Sequence, residues 1–243
     1  MTLNVGFKCV TNIQRPPQAL VEALRGLRSC DISDVMKRAG TMVGITPVYL
    51  PIPPVLGPVV TVSVPAGGIN MIKLGMQQTQ PGDVLVVSAR GGTEFAMWGG
   101  NLTRGLKARG LTGFLIDGAI RDVSEMRADQ FPVFARGIAT AVGAVDALWG
   151  EVNVAIACGG VVVRPGDIVI ADEDGAVVVP PEDAEEIADA TRALMSQHES
   201  LQPTLLRGEV TYIDEITQRF EAAGLAVVDA RQDGRPNRTE EDA

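Results

Sequence analysis

The residues best placed to do chemistry are Arg121 and Asp122, a fixed cation beside a carboxylate just after the apolar run Phe114-Leu115-Ile116. A carboxylate of this kind can hold a hard cation such as Mg²⁺, Mn²⁺ or Ca²⁺, and an adjacent arginine can steady an oxyanion that develops during reaction. Arg121 could pair with Asp117 or Glu125 at the surface, but such pairs contribute little to stability, so no structural need explains it. Asp122 has an alternative reading. In Asp122-Val123-Ser124-Glu125 it fits a helix capping box, a carboxylate at the N-cap with Glu three residues on. Upstream lie Gly91, Gly92, Gly99 and Gly100, which permit close backbone approach. A helix starting near Gly100 would present unpaired N–H groups suited to an anion. The stretch from Arg90 to Arg127 therefore reads as glycine-rich loop, helix, buried strand ended by Asp117-Gly118, and a turn carrying Arg121 and Asp122 into a further helix.

Other chemistries find less support. The single histidine, His198, falls in a polar helix end, and no GxSxG elbow accompanies it. Cys9, Cys30 and Cys158 are odd in number and never in CxxC spacing, which suggests neither a disulfide framework nor a thiolate zinc site and fits a reducing cytoplasm. Neither GxGxxG after a strand nor GxxxxGK[ST] occurs, so nucleotide binding is unsupported. The acidic run Asp172-Glu173-Asp174-Gly175 lacks the ligand spacing of a calcium loop and reads as a hairpin turn. A net charge of −9 without any basic cluster argues against nucleic acid as partner. No run of eighteen apolar residues and no leader-like segment is present, so a soluble cytoplasmic protein with no membrane partner is expected.

The elements that must position Arg121 and Asp122 follow from periodicity. At 243 residues, 46% hydrophobic but only 4% aromatic, the chain can bury a full aliphatic core. Helices are expected over 18–27, where Leu20, Val21, Leu24 and Leu27 recur at helical spacing, and over 33–40, opened by Asp31 or Ser33. Residues 41–58 hold five prolines and read as extended loop. Strands are expected at 59–64, 84–87, 133–135 and 138–142, with a helix at 69–78 between the first two. From 152 to 179, short β-branched runs separated by Gly-Gly, Pro-Gly-Asp and Asp-Gly read as antiparallel hairpins. Pro181 and an acidic first turn open a helix to about Glu199. A segment at 212–223 is amphipathic, and 226–243 is polar enough to be a disordered tail.

Several strings in order carry a resemblance: PGDVLVV (81–87), KARG (107–110), GFLIDGAIRDVSEMR (113–127), FPVFARG (131–137) and GEVNVAIACGGVVVRPGDIVIADEDGAVVVP (150–180). They resemble the 4-hydroxy-4-methyl-2-oxoglutarate/4-carboxy-4-hydroxy-2-oxoadipate aldolases, a family that also includes the regulator of ribonuclease activity A. The similarity covers roughly residues 20–215. It implies an α/β fold, an αββα sandwich with a central β-sheet or barrel core and a C-terminal helical extension. A single domain would span 1–225. It also implies homotrimers or homohexamers, and a Mg²⁺- or Mn²⁺-dependent lyase that releases pyruvate from small anionic 2-oxo acids by aldol cleavage or decarboxylation through an enolate.

By that resemblance Asp122 binds the metal, Arg121 steadies the enolate oxygen, and backbone around Gly99, Gly100, Asn101 and Leu102 takes the substrate carboxylate. Glu199 of a neighbouring subunit is the candidate to reach the metal through water. The aldolases carry an acid twenty-one positions before the arginine, where this chain has Gly100, with Glu94 in the same segment as a substitute. Ser88 likewise replaces the family's aspartate after the VLVV strand. The departure leaves three readings open: the lyase, a tautomerase, hydratase or hydrolase on a related acid, and a non-catalytic regulator binding a protein partner.

Overall fold

The structure is a computed structural model describing residues 6–143, 148–208 and 211–226. The expected disordered tail, from residue 227 on, lies outside the described residues. The backbone divides into two compact units, Met1–Met195 and Ser196–Ala243.

The first unit begins with β1 (Phe7–Cys9), α1 (Gln18–Ala23), α2 (Ser29–Val35), β2 (Thr46–Pro47), β3 (Val55–Ser63) and α3 (Asn70–Gln77). It continues through β4 (Val84–Trp98), α4 (Gly100–Ala108), β5 (Gly113–Ile120), α5 (Val123–Asp129) and β6 (Val133–Ile138). Five short strands follow: β7 (Gly150–Val152), β8 (Ile156–Cys158), β9 (Val161–Val163), β10 (Ile168–Asp172) and β11 (Gly175–Val179). Helix α6 (Ala184–Leu206) buries Ala184, Ala188 and Thr191 in its early turns. In the second unit α7 (Thr211–Ala222) exposes Ile216 and Phe220.

This is the mixed α/β fold expected, with a large central sheet in the order β1-β7-β3-β4-β5-β6-β2. Strands β3 to β6 are mutually parallel and are joined through α3, α4 and α5, as parallel neighbours require crossover connections. Their runs of Val, Leu and Ile are buried on both faces, so the sequence shows continuous apolar stretches rather than alternation. The hairpin β10–β11 joins the early half of β3 through β10, and β8 pairs with β9 in a separate two-stranded sheet. The antiparallel hairpins expected from the turn residues are therefore present. Residue Asp172, in the acidic turn, accepts hydrogen bonds from the Ser29 N–H at 2.7 Å and the Ser29 hydroxyl at 2.6 Å. The run thus caps α2, which begins at Ser29 rather than at Asp31 or Ser33.

Three further expectations are corrected. The segment expected as a glycine-rich loop is the second half of β4, which keeps pairing with β5 through register shifts between Ser88 and Trp98. Register shifts within the strand, not a loop, absorb Gly91 and Gly92, while Gly99 and Gly100 open α4. Asp117-Gly118 does not end β5: Asp117 is buried, pairs with Arg136 and accepts the Gly159 N–H at 3.0 Å. A Cβ at Gly118 would stand 2.6 Å from Met97 Cε and 2.8 Å from Ala89 Cβ, so packing excludes a side chain there. Finally, α6 runs past Glu199 to Leu206.

The core is aliphatic apart from a few rings at its centre. Trp98 and Phe114 stack with centroids 3.9 Å apart and planes 15° from parallel, both almost fully buried. This pair locks the end of β4 over the start of β5. Phe114→Ala should therefore cost about 3–5 kcal/mol through lost burial and an unfilled cavity, read from the shift in a urea-unfolding curve. A loss below about 1 kcal/mol would mean that the stack does not hold these strands.

Candidate active site

In open α/β sheets ligands sit at the carboxyl ends of the strands, and here that edge gathers the expected residues. Trp98 and Ile120 are register partners at the ends of β4 and β5, and the Arg121 N–H donates to the Trp98 carbonyl at 3.0 Å. The next residues of each strand, Gly99-Gly100 and Arg121-Asp122, are thereby set side by side. The Trp98 indole N–H donates to the Thr103 hydroxyl at 2.8 Å, and that hydroxyl donates to the Gly99 carbonyl at 3.1 Å. The ring that anchors the core also fixes the first turn of α4.

Asp122 occupies the N-cap position of α5 in the left-handed region, at φ 65° and ψ 38°. Aspartate tolerates that conformation better than most residues. Its side chain makes no capping bond to α5, so the capping-box reading is corrected. The turned backbone aims the carboxylate across to α4, where Oδ2 accepts the Gly100 N–H at 3.0 Å. A helix start favours such a charge through its dipole and its unpaired amides. Arg121 Nε lies 3.7 Å from the same Oδ2, and both side chains remain well exposed, at 44% and 36%. An ion pair so exposed adds little stability. It leaves a guanidinium and a carboxylate facing solvent together.

Between them lies a cleft of about 100 Å³ lined by Ile69, Ala96, Met97, Trp98, Gly99, Asn101, Leu102, Arg121, Asp122 and Val142. Five of the expected site residues, Gly99, Asn101, Leu102, Arg121 and Asp122, converge here. Gly100 is buried behind them with its N–H already given to Asp122. The N–H groups of Asn101 and Leu102 are the rest of the first turn, beyond the reach of any carbonyl of their own helix. Glu94 is an exposed residue of β4 and not part of the cleft. Glu199 and His198 are exposed residues of α6 in the second unit. Sequence reasoning missed the apolar walls, Ile69, Met97 and Val142, which are scattered along the chain. It also missed Glu125 as a neighbour of Gly100; the only signal was its three-residue spacing from Asp122, read as a cap.

Cys158, buried in this core, is held in its thiol form. Burial, reinforced by the nearby Asp117 charge, pushes the Cys158 thiol up to about 12. Among the described residues no group of three or more His, Cys, Asp and Glu side chains gathers to hold a metal. The donors at the cleft are oxygens, with Asp122 the carboxylate that lines it. That set fits Mg²⁺ or Mn²⁺, hard ions commonly held by one or two carboxylates with water completing the shell.

The parallel α/β sheet thus brings an arginine–aspartate pair beside a helix N-terminus. The RraA-like family model, Aldolase/RraA, matches residues 29–178, more than half of the chain. The chain belongs to that family. It is 38% identical over 104 residues to a protein of Halalkalibacterium halodurans named "Putative 4-hydroxy-4-methyl-2-oxoglutarate aldolase", a match covering 43% of this chain and 49% of the relative. It is 34% identical over 126 residues to an uncharacterized protein of Methanocaldococcus jannaschii, covering 52% and 60%. The matched stretches thus span about half to three-fifths of these relatives. Among solved structures, Streptomyces coelicolor RraAS2, described as an unusual member of the RNase ES inhibitor RraA family, superposes with a TM-score of 0.69 at 32% identity, over 77% of this chain and 98% of that one. The RNA-processing inhibitor RraA from Thermus thermophilis gives 0.57 at 28% identity, over 63% and 92%. No helix among the described residues is long and apolar enough to cross a membrane.

The glycine before α4 tests the site's geometry. Gly99 is extended (φ −166°), a conformation open to any residue, but a Cβ there would stand 2.5 Å from Asp122 Oδ2. Gly99→Ala should change stability by no more than about 1 kcal/mol, because the group displaced is a movable carboxylate. It should also free the Gly100 amide, seen as faster hydrogen exchange. An unchanged Gly100 amide would contradict this contact.

Proposed function

We propose that this chain is a divalent-metal-dependent carbon–carbon lyase that releases pyruvate from a small 2-oxo acid by aldol cleavage or decarboxylation. The observation that carries the reading is the delivery of Arg121 and Asp122 together to a small cleft at the start of α4. A volume of about 100 Å³ suits a molecule of pyruvate size rather than a nucleotide. Asp122 would hold the cation and the N–H groups of Asn101 and Leu102 the substrate carboxylate. When bound there, Mg²⁺ or Mn²⁺ supplies Lewis acidity toward the substrate's oxygens.

In both reactions the C3–C4 bond breaks, leaving CO₂ or, with the 4-hydroxyl proton lost to water, a second oxo acid; the electron pair passes into the 2-oxo group, and water then protonates the enolate at C3 to give pyruvate. Arg121 meets the resulting enolate oxyanion with a charge that never titrates at working pH. Ile69, Leu102 and Val142 line that side of the cleft with apolar surface. Homo-oligomers, trimers or hexamers, with Glu199 of a neighbouring subunit reaching the metal through water, belong to the same reading. Two alternatives keep the site or dispense with it: a tautomerase, hydratase or hydrolase on a related acid, and a regulator binding a protein. The likeness to RraAS2 and to the Thermus inhibitor favours the last.

Oxaloacetate decarboxylation separates these readings, since it needs only chelation and enolate stabilisation. With Mg²⁺ or Mn²⁺, pyruvate release should exceed that caused by metal alone. Arg121→Ala should lower the rate by about 10²–10³-fold, the usual cost of losing an oxyanion partner, with an unchanged melting temperature. A wild-type rate equal to metal alone would remove this substrate class. Partner inhibition that survives Arg121→Ala would favour the regulator.

A further inference from the structure

Gly100 is a glycine for room, not for backbone freedom. It is the first residue of α4, outside the left-handed region, where any residue would be tolerated by the backbone. What a side chain there would meet is Glu125: a Cβ at Gly100 would overlap Glu125 Oε2, with Glu125 Cδ at 2.8 Å and its Cβ at 3.1 Å, so the carboxylate would have to move. The two successive glycines therefore cradle two carboxylates from the start of α5, Asp122 against Gly99 and Glu125 against Gly100. Arg104, from α4, fixes the second: its Nη1 lies 2.9 Å from Glu125 Oε2, and its Nε lies 3.0 Å from Asp129 Oδ2. Held in this way, the Glu125 carboxylate lies against the α4 start without lining the cleft itself.

We infer that Glu125 is a positioning residue for the divalent cation. It would act through water from the space that a side chain at position 100 would otherwise fill, with Arg104 setting its rotamer. The inference rests on the metal-dependent reading proposed above. With its charge offset by Arg104, the Glu125 carboxylate would serve as a hydrogen-bond acceptor for metal-bound water, as outer partners of metal sites do. It also assigns Glu125, not Glu94, to the position left by the glycine.

Three variants and Mn²⁺ binding, followed by electron paramagnetic resonance of the free ion, test this. Glu125→Gln should weaken Mn²⁺ about 10-fold or more, within the range seen for outer-partner losses, while melting is unchanged because the group is exposed. The double variant Gly100→Glu with Glu125→Ala, which moves the acid onto α4, should recover affinity to within about threefold of wild type. Asp122→Asn should abolish binding. Glu125→Gln with wild-type affinity, alongside loss in Asp122→Asn, would overturn the role of Glu125 and leave the metal-dependent reading standing. That role is equally overturned if the double variant folds but stays as weak as Glu125→Gln. Absence of saturable Mn²⁺ binding in the wild type would overturn both.

Discussion

The site exists because β4 and β5 remain paired to the last residue of each. Parallel neighbours in a sheet end at the same edge, and here Trp98 and Ile120 end together. The pairing puts the start of α4 beside the entry to α5 with no long loop between them. Bulges in β4 let a fifteen-residue strand stay in contact with an eight-residue partner. The Trp98–Phe114 stack below the edge and the Trp98–Thr103 bond above it make the same ring serve core and site. A shift of one residue in this pairing would turn Arg121 and Asp122 away from Gly99 and Gly100, because successive residues of a strand face opposite sides.

Charge completes what pairing begins. The chain carries a net −9, yet the function proposed for it requires an anion at the cleft. Arg121, the amides of Asn101 and Leu102, and a cation at Asp122 would reverse the sign locally. Asp122 takes one helix amide itself, so the substrate would share the helix start with the carboxylate that recruits its counter-ion. On the proposed reading this division of donors would make the metal and the arginine interdependent, since without a cation Asp122 would repel the acid that Arg121 attracts.

Much of this was legible in the sequence. Apolar runs between turn residues marked the parallel strands, and the Arg-Asp pair after Phe114-Leu115-Ile116 is found lining a cleft at the strand ends. What failed did so for identifiable reasons. Gly91 and Gly92, read as loop, lie among the register shifts within β4, since period and turn chemistry cannot distinguish a conformational need from a steric one. Asp117-Gly118 read as a strand end, but a buried partner, Arg136, and the packing of Met97 and Ala89 against Gly118 outweighed the local turn preference. Asp122-x-x-Glu125 carried the correct spacing with two readings. Only the left-handed turn at Asp122 shows that both carboxylates point to α4 instead of capping their own helix.

The most direct measurement is binding of oxalate, a planar dianion resembling the enolate of pyruvate, to the protein with and without Mn²⁺, by titration calorimetry. If Asp122 and Arg121 form one site, oxalate should bind only when Mn²⁺ is present, and about 10²-fold more weakly to Arg121→Ala, as for loss of a charged hydrogen-bond partner. Oxalate binding that is indifferent to Mn²⁺, or unchanged in Arg121→Ala, would contradict a shared metal and enolate site.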